Sequence, residues 1–206
     1  MIMSQPAAHT EHFDATASKI GMWLFIFTEL LLFGGLFIVY SVIRFSHQTA
    51  FHLAAEELDV VLGATNTGLL LLSSMTIAMS VSAIQFGHKR FTLILISTTI
   101  LIGLIFLVNK YFEWSLKIEH GLYPGSATLQ GLGNGDTLFF GLYFFMTGLH
   151  ALHIIAGVSI LGWVLARVAS GKIHGTHFVH LENGALYWHL VDVIWIFLFP
   201  LFYLIS

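Results

Sequence analysis

Five long apolar stretches divide the chain, and polar segments of a few to about twenty residues separate them. A helix needs about 20 mostly apolar residues to cross the hydrocarbon core of a bilayer. The stretches lie at residues 20–43, 60–85, 91–113, 138–166 and 184–204. No segment between them is long enough for a soluble domain. The pattern therefore predicts an all-α membrane protein, a five-transmembrane-helix bundle.

The first 18 residues are polar and have neither a basic start nor an apolar core. Cleaved signal peptides have both features, so we expect the first apolar stretch to be a retained helix. The predicted organisation is a polar N-terminal tail at residues 1–18 and a single five-helix transmembrane domain at 19–206.

Composition agrees with this fold class and narrows the chemistry. Hydrophobic residues make up 57% of the chain and charged residues 9%, whereas soluble domains contain about 25% charged residues. There is no cysteine, which excludes disulfides, iron–sulfur clusters and thiolate metal sites. No basic patch points to nucleic acid.

Basic residues near the helix ends predict the orientation, because cytoplasmic loops are enriched in Lys and Arg. One side would carry Lys19, Lys89, Arg90, Arg167 and Lys172. The other side would carry Arg44, Lys117 and, near its edge, Lys110. The first set is larger, so we predict a cytoplasmic N-terminus and, after five spans, a periplasmic C-terminus.

Glu29 lies near the middle of the first span, about 15 Å from its start. A carboxyl at this depth is costly unless it faces protein, water or a partner group. Two interpretations are open. Glu29 belongs to a proton, ion or lipid site, or it is a protonated acid that is hydrogen-bonded to a neighbouring helix.

The second span contains Asn66, Ser73 and Ser80 at intervals of seven residues, flanked by Thr76. Small polar residues at this spacing allow close approach of another helix. We interpret this stripe as a packing face.

Two further carboxylates stand near predicted helix ends. Glu113 follows an apolar run and precedes Trp114, which fits either an interfacial charge or a specific role. Glu182 opens the last helix, where the helix dipole favours a negative charge. That purely structural explanation competes with a functional one for Glu182.

Two pairs of ionisable residues share helical faces, His150 with His153 and His189 with Asp192. Two imidazoles three residues apart suggest a metal or haem ligand, and Asp192 could orient His189. Packing alone is the competing explanation. A haem held between the fourth and fifth spans is disfavoured, because His153 and His189 differ in depth by roughly 12 Å. The loop histidines, His174, His177 and His180, lack a carboxylate or cysteine partner in sequence.

Taken together, several segments resemble the cytochrome c oxidase subunit III family of the haem–copper oxidases. They occur in the family's order and cover nearly the whole chain after the tail. The segments are "GMWLFIFTELLLFGGLF", "NTGLLLLSSMTIA", "EW" at 113–114, "GLYFFMTGLHALHIIAG" and "ENGALYWHLVDVIWIFLFP". The chain is similar to the short, five-helix bacterial form, which lacks the first two helices of longer members.

The resemblance assigns family positions to residues of this chain. They are the membrane glutamate Glu29, the histidine pair His150 and His153, the interfacial carboxylates Glu113 and Glu182, and the late pair His189 and Asp192. Arg167 occupies the place of a basic residue that contacts phospholipid phosphate in relatives. Ile38 replaces an aromatic residue that lines the lipid cleft elsewhere, so the lipid site need not transfer in detail.

The resemblance also implies a function. Subunit III of this family has no catalytic, metal or cofactor site of its own, while haem and copper belong to partner subunits. It packs directly on subunit I, beside subunit II, in a proton-translocating oxidase of aerobic electron transport. It holds phospholipids and is thought to shape an oxygen route. We therefore expect a multi-pass protein of the bacterial inner (cytoplasmic) membrane, within an oxidase or a larger respiratory supercomplex.

Other functions stay open at this point. Quinol oxidases and nitric oxide reductases carry similar third subunits, although quinol oxidase relatives tend to have aspartate at the position of Glu29. A more remote alternative is an independent transporter that uses Glu29, Glu113, His150 and His153 as a relay. The chain lacks the repeated halves that are typical of many transporters.

Overall fold

The computed structural model describes residues 7–205, and their side chains from residue 15 onward. All regular structure in this range is helical. The helices are α1 (Ala7–Ser46), α2 (Gln48–Glu56), α3 (Val60–Gln85), α4 (Lys89–Glu119), α5 (Ala127–Leu132), α6 (Asn134–Ala169) and α7 (Val179–Tyr203).

Five of these helices are long and apolar enough to cross a membrane: α1 from Ala15, α3, α4, α6 and α7. This confirms the predicted all-α class and the number of spans. Helices α1, α4 and α6 extend beyond the apolar stretches at both ends, and α4 ends at Glu119 instead of Glu113, whereas α3 has the predicted bounds. Helix α1 begins at Ala7, so residues 7–18 of the predicted polar tail are helical, while residues 1–6 lie outside the described part. The division into tail and domain stays a prediction.

Two short helices occupy segments that the apolar pattern left unassigned. Helix α2 follows α1 almost directly and buries Phe51, Ala54 and Ala55. Helix α5 lies in the Gly-rich segment before α6 and begins at Ser126, whose hydroxyl accepts a hydrogen bond from the Leu129 amide at 3.1 Å. Both are too short for a hydropathy pattern to reveal.

Helix α7 forms the centre of the bundle and packs against α1, α3 and α6. Trp188 of α7 enters a slot between two glycines, Gly103 of α4 and Gly157 of α6. A Cβ atom at either glycine would lie 2.6 Å or 2.9 Å, respectively, from the indole ring. The Trp188 indole N–H donates to Ser73 of α3 at 2.9 Å. One aromatic side chain thus fixes the spacing of four helices.

The polar stripe on α3 is buried, as predicted for a packing face. Asn66, Ser73 and Ser80 are fully inaccessible to solvent, and Thr76 nearly so. Asn66 accepts a hydrogen bond from Asn109 of α4 at 2.8 Å, and Thr76 pairs with Thr99 of α4 at 2.8 Å. Cross-helix bonds of this kind suit an apolar setting, where an unpaired polar group is costly.

The helices define two ends of the bundle. At one end, Lys19 pairs with Glu182, and Lys89 donates to the carbonyl of Ala169 at 2.8 Å. At the other end, Lys117 donates to the carbonyl of Glu57. This grouping matches the two predicted sets of basic residues except for Lys110, which is buried. Which end faces the cytoplasm stays a prediction.

Candidate functional site

Glu29 of α1 pairs with His153 of α6 in the middle of the bundle. The Glu29 Oε2 and His153 Nε2 atoms are 3.1 Å apart, and the two side chains are 15% and 14% exposed. His153 Nδ1 lies 2.8 Å from the carbonyl oxygen of Leu149. A carbonyl only accepts, so Nδ1 carries a hydrogen. The contact between His153 Nε2 and Glu29 must therefore contain one further hydrogen. This hydrogen belongs either to a charged His153 imidazolium or to a neutral Glu29 carboxylic acid.

The surroundings hold this pair in place. Phe33 of α1 makes an edge contact with the His153 ring at 5.4 Å between centroids. The Tyr187 hydroxyl of α7 donates to the His153 carbonyl at 3.1 Å. The pair therefore joins α1 to α6 at a partly open position, where another protein, lipid or water could reach it.

His150 shares a face with His153 but has a different environment. Its ring is fully buried between Phe106 at 5.6 Å and Trp195 at 5.2 Å, measured between centroids. Neither ring nitrogen has a hydrogen-bond partner among the described residues. The two histidines predicted as a pair therefore do not converge on a common partner.

Glu113 belongs to a buried network, not to an exposed interface. It is 3% exposed, and its Oε2 accepts a hydrogen bond from Lys110 at 3.0 Å. Its Oε1 accepts from the hydroxyls of Tyr143 at 2.7 Å and Tyr203 at 2.5 Å. Lys110 also donates to Tyr143 at 3.1 Å and to Tyr203 at 2.9 Å.

This network satisfies all three hydrogens of the Lys110 ammonium and both oxygens of Glu113. The ammonium also lies 4.9 Å from the Tyr143 ring centre and 5.4 Å from that of Trp195, within the range of cation–π attraction. The network ties α4, α6 and α7 together. Sequence reasoning missed Lys110, Tyr143 and Tyr203, although a lysine three residues before a glutamate on one helix was a visible signal.

Glu182 has two structural contacts, and a functional role for it stays a prediction. It lies in the first turn of α7 and forms an ion pair with Lys19 of α1 at 2.8 Å. Next to it, Asn183 donates to the Ser18 hydroxyl at 2.9 Å. The pair is partly exposed, which limits its energy to about 0–1 kcal/mol, as for other surface ion pairs.

His189 and Asp192 share a face of α7, but they do not bond to each other. Instead, His189 Nδ1 and the Ser74 hydroxyl of α3 are 2.7 Å apart. Asp192 is 2% exposed, and neither of its carboxyl oxygens forms a hydrogen bond within residues 15–205. Among the described residues, His189 thus bonds to α3 and not to Asp192.

Arg167 stacks over the Trp163 ring at 4.7 Å from its centre. It also lines a pocket of about 410 Å³ at the Lys19 end of the bundle. The polar residues that share this pocket are Ser18, Lys172, His174, His177 and His180. The pocket is rich in positive or ionisable nitrogen groups, which suits an anionic ligand.

Within the described residues, no group of three or more His, Asp or Glu side chains is placed to hold a metal ion. The loop histidines make ring contacts instead, with His174 and His177 centred 5.2 Å apart. That this chain carries no haem or copper remains an expectation.

The geometry defines a helical integral membrane protein with ionisable pairs inside its bundle. Comparison with known proteins gives the family. The family model described as "Cytochrome c oxidase subunit III" matches residues 3–206. The chain therefore belongs to the cytochrome c oxidase subunit III family and is a subunit III of the haem–copper oxidases.

Individual relatives support this assignment. The chain is 33% identical to "Cytochrome c oxidase subunit 3" of Corynebacterium diphtheriae, over 91% of this chain and 88% of the relative. It is 26% identical to "Probable quinol oxidase subunit 3" of Staphylococcus haemolyticus, over 94% of this chain and 91% of the relative. It is also 29% identical to "Heme-copper oxidase subunit I+III" of Aeropyrum pernix, over 96% of this chain but only 24% of that longer protein.

Proposed function

We propose that this chain is the non-redox third subunit of a respiratory cytochrome c oxidase in a bacterial inner membrane. In this role it packs directly on subunit I, beside subunit II, and supports electron transport and proton translocation without a redox centre of its own. The observation that carries the proposal is the match to cytochrome c oxidase subunit 3 along nearly the whole chain. The relative whose name joins subunits I and III supports direct contact with subunit I.

Lipid binding is the second part of the proposal. The pocket beside Arg167 supports it, because a guanidinium with nearby lysine and histidine groups is suited to a phosphate. We expect Arg167→Gln to reduce phospholipid that remains on the purified complex. Arg90→Gln is the matched control, since Arg90 lies at the same end but lines a different pocket. Lipid mass spectrometry of both variants measures the difference, and equal lipid content would contradict this site.

Oxygen access is the third part. Glu29 and His153 are partly open on the α1–α6 side of the bundle. We propose that this side borders a cleft against subunit I that contains lipid and admits oxygen. Glu29 is then a hydrogen-bonded or protonated group at the cleft and not an obligatory step of proton pumping.

The experiment that tests the main proposal is affinity purification of the tagged chain from its native membrane in mild detergent. Mass spectrometry identifies the partners, and a reduced-minus-oxidised spectrum identifies the haems. We expect a haem–copper subunit I and a copper-bearing subunit II in the eluate. A colourless chain that elutes alone would contradict the proposal and direct attention to independent transport.

The second candidate function is the third subunit of a quinol oxidase, and relatives with that name favour it. Its prediction is a subunit II without copper and oxidation of quinol instead of cytochrome c. Recovery of a nitric oxide reductase core in the same purification would indicate the third alternative. Association with a larger respiratory supercomplex would be visible in the same eluate.

A further inference from the structure

A cleft of about 380 Å³ opens between α1 and α3 at the end of the bundle where α7 begins. The described parts of α1 and α3 do not pack against each other, whereas both pack against α7, which forms the floor of the cleft. Its walls include Trp23 of α1 and Val81 of α3. Trp23 is 61% exposed, so the cleft is open toward the surrounding bilayer.

Two opposite charges stand at the mouth of this cleft, and both can bind a further group. Lys19 Nζ and Glu182 Oε2 are 2.8 Å apart. The Lys19 ammonium has three hydrogens and its side chain is 49% exposed, so hydrogens remain for a second acceptor. A carboxylate has two acceptor oxygens, and Glu182 Oε1 remains beside the ion pair for a second donor.

Asn183 adds another acceptor at the same place. Its amide nitrogen donates to the Ser18 hydroxyl at 2.9 Å and to the Ser18 carbonyl at 3.4 Å, which fixes the orientation of the amide. Its Oδ1 atom is buried and has no hydrogen-bond partner among the described residues. A buried acceptor without a donor calls for an explanation. A cationic donor beside Glu182 would serve both acceptors.

A donor of a different kind lies deeper in the cleft. His189 follows Glu182 by seven residues, or about 10 Å along α7. Its Nδ1 atom lies 2.7 Å from the Ser74 hydroxyl. When Ser74 donates, the neutral ring carries its hydrogen on Nε2. The interfacial zone of one leaflet is about 5–8 Å thick, so this hydrogen lies near the hydrocarbon boundary, at the depth of phospholipid ester carbonyls.

We propose that the cleft binds one zwitterionic phospholipid with a primary ammonium, such as phosphatidylethanolamine. The phosphate accepts from Lys19, the ammonium donates to Glu182 and Asn183, and an ester carbonyl accepts from His189. Charges of alternating sign then face one another, which strengthens these hydrogen bonds. An anionic headgroup without a cation would leave the Asn183 acceptor unserved.

The apolar part of the cleft fits the rest of such a lipid. Ala78 and Val81 of α3 and Leu186 of α7 line it beside Trp23, so an acyl chain can lie against them. A soluble zwitterion has no group for these contacts. The site shares no lining residue with the pocket beside Arg167, and it depends neither on the phospholipid proposed there nor on the type of oxidase.

Photo-crosslinking of the complex, purified through a tag on this chain and placed in lipid nanodiscs, tests the proposal. The probes are phosphatidylethanolamine, phosphatidylcholine and phosphatidylglycerol with identical acyl chains and a diazirine high in one chain. Mass spectrometry of the peptides that contain Val81 and Leu186 measures labelling of the cleft. We expect the ethanolamine probe to label about tenfold more than the glycerol probe, as for one hydrogen bond to a charged group. The choline probe, which has a cation but no N–H donor, should lie between them.

Charge-removing variants should change this ranking in opposite ways. Glu182→Gln removes the partner of the lipid ammonium and frees Lys19, so labelling by the ethanolamine probe should fall about tenfold while labelling by the glycerol probe rises. Lys19→Gln should lower labelling by all three probes, because each contains a phosphate. Glu119→Gln is the matched control, since Glu119 is an exposed glutamate at the opposite end of the bundle. It should keep the native ranking.

Equal labelling of the cleft by the three probes in the native complex would indicate ordinary bilayer lipid only and would overturn the proposal. An unchanged preference for the ethanolamine probe in Glu182→Gln, or the same loss in Glu119→Gln, would overturn it as well. Should Glu182→Gln fail to assemble, the ranking in the native complex decides alone. Lipid retained at Arg167 and the partners of the chain are measured separately, so a negative result here leaves the proposed function standing.

Discussion

At the scale of single residues, this chain keeps charge inside the bundle by surrounding it with donors and acceptors from other helices. Lys110 and Glu113 illustrate this, because each bond-forming atom of the pair has a partner. Such a pair adds little net stability when complete, but it is costly when one member is removed.

The first prediction concerns the cost of removing one member of the buried Lys110–Glu113 pair. Lys110→Met leaves the Glu113 carboxylate buried without its cation, so we expect a loss of about 3–5 kcal/mol in unfolding free energy. The double variant Lys110→Met with Glu113→Gln should recover part of this loss, because a neutral amide still accepts from the tyrosines. Reversible denaturation in detergent measures both.

Lys172→Met is the control for Lys110→Met, since Lys172 is an exposed lysine in the loop before α7. It should change stability by less than about 0.5 kcal/mol, as surface substitutions usually do. Equal effects of the two lysine substitutions would contradict a structural role for the buried network.

The second prediction concerns Glu29. In Glu29→Gln, the amide can donate to His153 Nε2 and preserve the contact between α1 and α6. We expect assembly and most oxygen consumption to remain. Glu29→Leu leaves the imidazole nitrogen without a partner and should weaken assembly. A fully assembled Glu29→Gln complex with no turnover would show that the carboxyl is obligatory.

At the scale of helices, small residues determine how closely the elements approach. Helix α7 brings Trp188 and Trp195 to the hydroxyls of Ser73 and Thr67 on α3, at 2.9 Å and 3.0 Å. Gly157 of α6 gives the Trp188 ring its space. Such contacts suit a membrane, where close packing and hydrogen bonds between helices drive association.

The third prediction compares two glycines of α6. In Gly157→Ala the new Cβ would lie 2.9 Å from the Trp188 ring, so we expect overpacking to cost about 1–3 kcal/mol. In Gly162→Ala no atom lies within 4 Å of the new Cβ, and stability should be unchanged or slightly higher. Thermal unfolding of both variants in detergent measures the difference. A larger loss in Gly162→Ala would contradict the packing account.

At the scale of the whole molecule, the helices separate the charged loops into two ends. The Lys19 end carries Lys89, Arg90, Arg167 and Lys172, while the opposite end carries Glu56, Glu57, Asp59 and Glu119. The structure fixes which loops lie together, and the distribution of basic residues predicts which end faces the cytoplasm.

The fourth prediction uses the absence of cysteine from the native sequence. In intact cells, an impermeant thiol reagent should label Glu56→Cys and His120→Cys from the periplasmic side. It should reach His88→Cys and His174→Cys only after the membrane is opened. Labelling in the opposite order would reverse the orientation but leave the bundle unchanged.

Much of the architecture could be predicted because bilayer thickness constrains the sequence directly. A helix must be apolar for about 20 residues, so the five spans can be identified without their contacts. The stripe of Asn66, Ser73 and Ser80 could also be placed on a packing face, because helical periodicity follows from spacing alone. Helix α2 and helix α5 could not be predicted in this way.

The candidate site was only partly predictable, because partners in it come from helices far apart in sequence. Glu29 could be singled out by its depth, but its contact with His153 depends on how α1 packs on α6. In the sequence, Lys110 is only one of the basic residues near the helix ends that predict the orientation, whereas tertiary packing closes Tyr143 and Tyr203 around it.

The sequence by itself determined the class of protein, the number of spans and the residues that are unusual for a membrane interior. These properties follow from local composition and from the cost of polar groups in lipid. Only the tertiary structure decided which of those residues meet groups on other helices: Glu29 with His153, Glu113 with Tyr143, and His189 with Ser74. Helix packing sets these pairs, since the rotation and depth of each helix depend on side chains of its neighbours.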